Sequence, residues 1–346
     1  MEKDKARILV IVSQEKLGKS LCSLLAQIPD ITLLIAGHEN EALIHAIKQD
    51  KPLAAIQSCS LDWSQADFKQ QLKETQANIL IHSATFLDSD YTLANICIDL
   101  NIHYVDLSIH CDFVTQITQC DARAKENNVI VVSGAGATPG LSMAVVDAFA
   151  PKFGILREID VGLSDASIAR RLTHMQTPFQ RLEKGEKKVV HGWRKLQKYY
   201  YGDNLGMRWH ANADIPDLVL LPQRYPSLKT VVFHAGLENL FKHCLLWSGI
   251  KPHWFFADPL EKIGMYVQLS GSNLAYQPLD INWMIVAEKG DGHVLSTMGC
   301  VLVVKKILQH KLEAGARPCV GLFTLDEFNE AIAAKEVYYT IYETEM

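Results

Sequence analysis

The chain has 346 residues, 48% of them hydrophobic, enough to bury a large core and to fill about two domains. Its formal charge of −5 at pH 7, with both signs interspersed, leaves no basic stripe and argues against a nucleic-acid partner.

In chain order, the first half repeats one unit. Apolar segments at Arg7–Val12, Thr32–Ala36, Ala54–Gln57, Ile79–Ser83, His103–Asp106 and Val129–Val132 predict buried strands. Amphipathic segments at Gly18–Gln27, Asn40–Gln49, Asp67–Thr75, Tyr91–Leu100 and Ile117–Asn127 predict helices between them. Alternating strands and helices with short links imply a parallel sheet covered on both faces, an α/β, Rossmann-type doubly wound domain. Its ligand crevice lies beyond the carboxyl ends of the strands, so the strand exits are where function is sought.

The first exit reads "VSQEKLGKS". A glycine-rich cradle places backbone N–H groups on a pyrophosphate at a helix N-terminus. Here Ser13 and Glu15 stand where the first two cradle glycines belong, and Gly18 supplies the third, which lets helix and strand pack closely. A carboxylate at Glu15 about 4 Å from a phosphate would repel it by up to about 4 kcal/mol at an effective dielectric near 20. Gly18, Lys19 and Ser20 also match the end of an ATP-binding loop, whose magnesium would need an acid such as Asp106. After the second strand, His38 occupies the ribose position, which leaves NAD and NADP both open. Ser83 and Ala84, at the exit of the fourth strand, complete the cofactor positions on that side.

"IHYVDLS" puts Tyr104, Asp106 and Ser108 on one side of the fifth strand and His103 on the other, which argues against a metal site. Asp106 at the strand exit is the candidate to orient a substrate amine or a water; capping of the next helix is the alternative role. "VVSGAGATPGLS" follows the sixth strand. Gly134, Gly136 and Gly140 flank Thr138 and Pro139, with Thr138 suited to an N-cap and Pro139 to the first helical position. That helix N-terminus would receive a substrate carboxylate or the nicotinamide carboxamide, while a tight strand-to-helix turn alone would also use these glycines.

The second half changes period. Ile159, Val161 and Leu163, and then Met265, Val267 and Leu269, alternate as strands do. "INWMIVAEKGDGHVLSTM" reads as two strands joined at Lys289–Gly292; helices are predicted at Val301–Leu312 and Leu325–Ala334, the latter opened by the capping box Thr324–Glu327. The pattern is an α+β domain; 191–226 has no clear period. Arg170 and Arg171 are candidates to clamp an acidic substrate, although such charges more often coat a solvated helix. No apolar run approaches a membrane span, since the longest, from Val294, is cut by Lys305 and Lys306. Eight scattered cysteines without a CxxC pair argue against structural zinc and disulfides, and for a cytoplasmic setting.

At these residues the chain resembles the saccharopine dehydrogenase-like family of NAD(P)-dependent oxidoreductases. The likeness rests on the opening strand–turn–helix, "IAGHENEAL", "ANICIDLNIHYVDLS", "SGAGATPGLS", "YPSLKTVVFHAGLE" and "HKLEAGARPCVGLFTLDEF". It implies a dinucleotide-binding domain over 1–150, a substrate and dimerisation domain over 151–315, and a C-terminal segment, 316–346, returning to the first domain. It also implies a homodimer and hydride transfer between a nicotinamide and an imine or secondary amine derived from an amino acid. Cofactor contacts then fall to Ser13, Glu15, Gly18, His38, Ser83, Ala84, Gly134 and Gly136, substrate contacts to Tyr104, Thr138, Pro139, Gly140, Arg170 and Arg171, and catalysis to Asp106. The departures at Ser13, Glu15 and His38, and the absence of glycine–proline in "HSATFLD", point to an alternative: a cofactor-free binding or scaffold relative.

Overall fold

The computed structural model describes residues 5–12, 15–36, 40–63, 65–83, 90–165, 178–237, 262–288 and 291–345. The chain forms two compact units. One comprises Met1–Ser108, Asp112–Gly140 and Ser296–Phe323; the other comprises Ile109–Cys111, Leu141–Leu295 and Thr324–Met346.

The first unit is built on a seven-stranded parallel sheet. Its strands are β1 (Ala6–Ile11), β2 (Ile31–Ala36), β3 (Ala55–Cys59), β4 (Ile79–His82), β5 (His103–Asp106), β6 (Ile130–Ser133) and, from the C-terminal part, β15 (Gly315–Pro318). The order is β15-β6-β5-β4-β1-β2-β3. Strand order therefore reverses at β1, the switch point where doubly wound sheets bind ligands. Ile8, Leu9, Val10 and Ile11 are all fully buried, as a central strand covered on both faces requires.

Helices alternate with these strands: α1 (Glu15–Leu25), α2 (Asn40–Gln49), α3 (Phe68–Glu74), α4 (Thr92–Asp99), α5 (Cys111–Gln116) and α6 (Asp121–Glu126). Leu17, Leu21 and Leu25 recur at helical spacing and bury the inner face of α1. Two predicted boundaries move. α1 begins at Glu15, so Gly18 lies within its first turns rather than before it. The helix expected over Ile117–Asn127 is broken, with α5 and α6 separated by a tight turn at Ile117–Cys120.

The second unit contains α7 (Ser142–Phe149) and a mixed seven-stranded sheet. Its strands are β7 (Phe153–Ser164), β10 (Gln197–Tyr200), β11 (Met207–Asn212), β12 (Thr230–Leu237), β13 (Ile263–Asn273), β14 (Pro278–Ala287) and β16 (Val337–Glu345), in the order β10-β11-β12-β7-β13-β14-β16. Only β7 and β12 pair in parallel. A hairpin, β8 (Pro178–Glu183) with β9 (Glu186–His191), forms a two-stranded sheet of its own, and α8 (Asp217–Arg224) follows β11 and precedes β12 in the chain. The tract 191–226 thus resolves into β10, β11 and α8 joined by turns. Ile159, Val161, Leu163, Met265, Val267 and Leu269 are each at most 1% exposed, so the period-two reading of these strands holds.

The sheet curls strongly. Tyr199 of edge strand β10 stacks on Tyr266 of β13 with ring centroids 3.7 Å apart, and its hydroxyl donates to Asn282 of β14. Tyr201, Leu205, Tyr266, Met284 and Val286 pack together inside the curl.

One element differs from the expectation. "HVLSTM" is not a second hairpin strand: it opens α9 (Val294–Leu308). Val294, Leu295, Met298, Val301, Val303 and Val304 are buried around its first turns, so the apolar pattern there has no exposed face to reveal its period. The capping box is present at α10 (Leu325–Ile332): Thr324 Oγ1 accepts from the Glu327 amide, and the Thr324 amide donates to Glu327 Oε2. Among the described residues no helix is long and apolar enough to cross a membrane.

Candidate functional site

The site is assembled from the carboxyl ends of the strands of the first unit. At the exit of β1, the α1 helix lies close to the strand. A Cβ on Gly18 would stand 2.1 Å from Val12 Cγ1, well inside any tolerated contact. Glycine here keeps the N-terminus of α1 next to the switch-point strand. Ser13, His38 and Ala84 lie outside the described residues, as do Arg170, Arg171 and the Glu15 side chain; Glu15 itself is the first residue of α1. Ser20 Oγ and Thr297 Oγ1 lie 3.2 Å apart, joining α1 to α9 within this unit.

At the exit of β4, Ser83 turns inward. Its hydroxyl and its amide both donate to the Ile11 carbonyl, at 3.0 and 3.2 Å, which ties the ends of β1 and β4 together. His82, beside it, is 2% exposed, and burial pushes its imidazole down to about 4, so it is neutral at pH 7. In register it stands opposite Ile11 of β1 and Asp106 of β5. Its signal in the sequence is a lone histidine closing the apolar run "ILIH".

Asp106 is fully buried. Its Oδ1 accepts three hydrogen bonds, from the Ser108 amide at 2.9 Å, the Ser133 hydroxyl at 3.0 Å and the Gly134 amide at 2.8 Å. Burial raises its carboxyl to about 6 and outweighs those donors, which pull the other way. The Asp106 carbonyl also accepts from the Ala135 amide at 2.8 Å. The residue therefore clasps the exit of β6 to that of β5. Tyr104 faces the apolar core with Leu9, Leu34 and Ile98, and is 1% exposed.

The exit of β6 is the turn that Asp106 secures. Gly134 has φ 76, a conformation that L side chains rarely adopt, and a Cβ there would stand 2.6 Å from Pro139 Cδ. Gly136 approaches the Ser296 carbonyl, and Gly140 has ordinary room around it. Thr138 is not the N-cap expected of it. It is extended, at φ −129 and ψ 131, and an irregular turn over Ala137–Leu141 delays α7 until Ser142. The Thr138 side chain is consequently released from capping: its hydroxyl is buried and takes no hydrogen bond among the described residues. A buried hydroxyl without a partner is costly, and a ligand group is one way to satisfy it.

Two groups needed by the ATP-loop reading are engaged elsewhere. The Ser20 hydroxyl faces Thr297, and Asp106 is sealed beneath the Gly134 turn.

No protein-family model matches the chain, and no curated protein matches it. Among solved structures, apo histidine-tagged saccharopine dehydrogenase (L-Glu forming) from Saccharomyces cerevisiae is similar with a TM-score of 0.68 at 11% identity, covering 98% of this chain and 100% of that one. A meso-dapdh mutant from Clostridium tetani E88, solved with DAP, aligns at 14% identity over 94% of this chain and 99% of that one, with a TM-score of 0.47. The first of these likenesses shows a shared fold.

Proposed function

We propose that this chain, built on the fold of saccharopine dehydrogenase, is an NAD(P)-dependent oxidoreductase acting on the C–N bond of a small amine derived from an amino acid. The observation that carries the reading is the first strand–helix junction. Gly18 preserves the close approach that a dinucleotide cradle uses, at the strand where the sheet order reverses. The cofactor would lie against the N-terminus of α1, with Gly134 and Gly136 on the opposite side of the switch point. When bound, it supplies or accepts the hydride.

The chain's own residues shape the rest. Asp106 acts as a positioning residue: it fixes the Gly134 turn through its amide and so sets where Thr138 and Pro139 stand. The buried Thr138 hydroxyl is the group offered to the substrate. The same reading places the protein in a reducing, cytoplasmic setting, where scattered cysteines stay unbridged. Exposed Tyr338, Tyr339 and Tyr342 on edge strand β16 support a homodimer.

One observation favours a second reading. Glu15 heads α1, where a pyrophosphate would sit, so a cofactor-free binding relative competes with the enzyme. Calorimetry with NADPH, NADH and Mg-ATP, on the wild type and on Glu15→Gly, separates them. The enzyme reading expects the wild type to bind a nicotinamide dinucleotide. Binding confined to Glu15→Gly supports the cofactor-free relative, and selective Mg-ATP binding overturns both.

A further inference from the structure

The second unit carries a cluster of titratable side chains that the proposed hydride transfer does not use. Strand register creates it. Gly162 of β7 stands opposite His234 of β12 on one side and opposite Tyr266 of β13 on the other. Paired residues share a sheet face, and Asp160, two residues before Gly162, lies on that face too. A Cβ on Gly162 would lie 2.0 Å from Tyr266 Cε1, so the tyrosine ring occupies the space that glycine leaves open.

From there the Tyr266 hydroxyl donates to Asp160 Oδ1 at 3.2 Å. His234 Nδ1 lies 2.9 Å from the same oxygen and 3.4 Å from the Tyr266 hydroxyl. Gln197 Nε2 donates to that hydroxyl at 3.3 Å, and the Tyr199 ring stacks on Tyr266.

The chemistry of this arrangement is one-sided. With Nδ1–H directed at Asp160, Nε2 is the ring nitrogen left to accept. Both Asp160 contacts fall on Oδ1, which leaves Oδ2 as a second acceptor. The Asp160 side chain is 29% exposed, so a solute can reach it. The buried cation Arg181 is committed to Glu183 and to Asn212, the residue paired with His234. Among the described residues no group of three His, Cys, Asp or Glu side chains gathers to hold a metal. A carboxylate and an imidazole acceptor together complement a positively charged N–H donor.

We propose that Asp160 and His234 form a binding site for the primary ammonium group of a small molecule. The site is contained in the second unit and does not depend on the cofactor reading, because its test uses no nicotinamide.

The test follows the His234 ring nitrogens by long-range proton–nitrogen NMR on the full chain at about pH 8, with His234→Gln for assignment. Probes are n-butylammonium, tetramethylammonium and butyrate. The expected result is a saturable shift of the Nε2 resonance with n-butylammonium, weaker binding of tetramethylammonium, which has no N–H, and no effect of butyrate. Asp160→Asn should weaken n-butylammonium binding about tenfold or more. If that variant does not fold, by near-ultraviolet dichroism, the same loss is expected in His234→Gln, read from the Tyr266 ring protons. Absence of a saturable shift, equal affinity in the variant, or equal binding of tetramethylammonium or butyrate would overturn the proposal.

Discussion

Asp106 and Asp160 are both strand aspartates that gather their donors on one oxygen, yet they belong to different kinds of structure. Asp106 is fully buried and takes two of its three hydrogen bonds from backbone amides. Those donors are fixed in place by the chain once the turn has formed. Asp160 is partly exposed and takes both of its bonds from side chains, Tyr266 and His234. Side chains can reorganise, and water can replace a lost carboxylate. The first aspartate is a fastener for the Gly134 turn, and the second is open to a ligand.

The largest expected effect tests that contrast directly. Asp106→Ala strands three buried donors, each worth about 1–3 kcal/mol, so a stability loss of about 4 kcal/mol is expected by urea titration. Asp160→Ala should cost only about 1 kcal/mol, since water can replace the lost carboxylate. Equal losses would break the comparison.

The next effect is electrostatic. The Asp106 carboxyl is raised to about 6 in the folded chain from an ordinary value of 3.8, so its protonated form is favoured by folding. The stabilisation is complete below the unfolded value and is lost as pH rises through about 6. The deficit of Asp106→Asn relative to wild type should therefore shrink between about pH 4 and pH 7, by roughly 2–3 kcal/mol. Comparing the two chains matters, because His82, pushed down to about 4, acts in the opposite sense and loses its contribution as pH falls. A deficit that does not change with pH would remove Asp106 as the titrating group.

Two glycines sharpen the contrast further. Gly18→Ala and Gly162→Ala each force a Cβ into an occupied position and should cost about 1–3 kcal/mol by thermal melting. Measured against the matching single variant, Val12→Ala should rescue the first and Tyr266→Ala the second. Failure of either rescue would mean that the glycine serves something other than the close approach. The smallest effect is at Thr324→Ala, which removes one half of the α10 capping box, for a loss of about 1 kcal/mol.

What could be read from the sequence follows the range of the interactions involved. Helix Asn40–Gln49 and strand His103–Asp106 have the bounds expected of them, because local periodicity defines each. The Thr324 capping box was legible for the same reason. The start of α9 was not, since turns buried on all sides show no polar face. The sealing of Asp106 depends on Ser133 and Gly134, residues that no local pattern joins to it. Likewise, Tyr199 and Tyr266 meet only because the second sheet curls, and strand alternation says nothing about curvature.

The path of the chain has one more consequence. β15 pairs along the outer edge of β6, and β16 along the outer edge of β14, so both sheets are finished by the final stretch of polypeptide. A polypeptide ending before Ser296 would leave β6 and β14 with unpaired backbone along their rims, and bare rims recruit other chains. During synthesis the first sheet must wait for residues far downstream before its last strand arrives. Shielding of nascent intermediates is thus a requirement built into the order of the strands, and shortened versions of the protein are expected to accumulate as aggregates rather than as isolated domains.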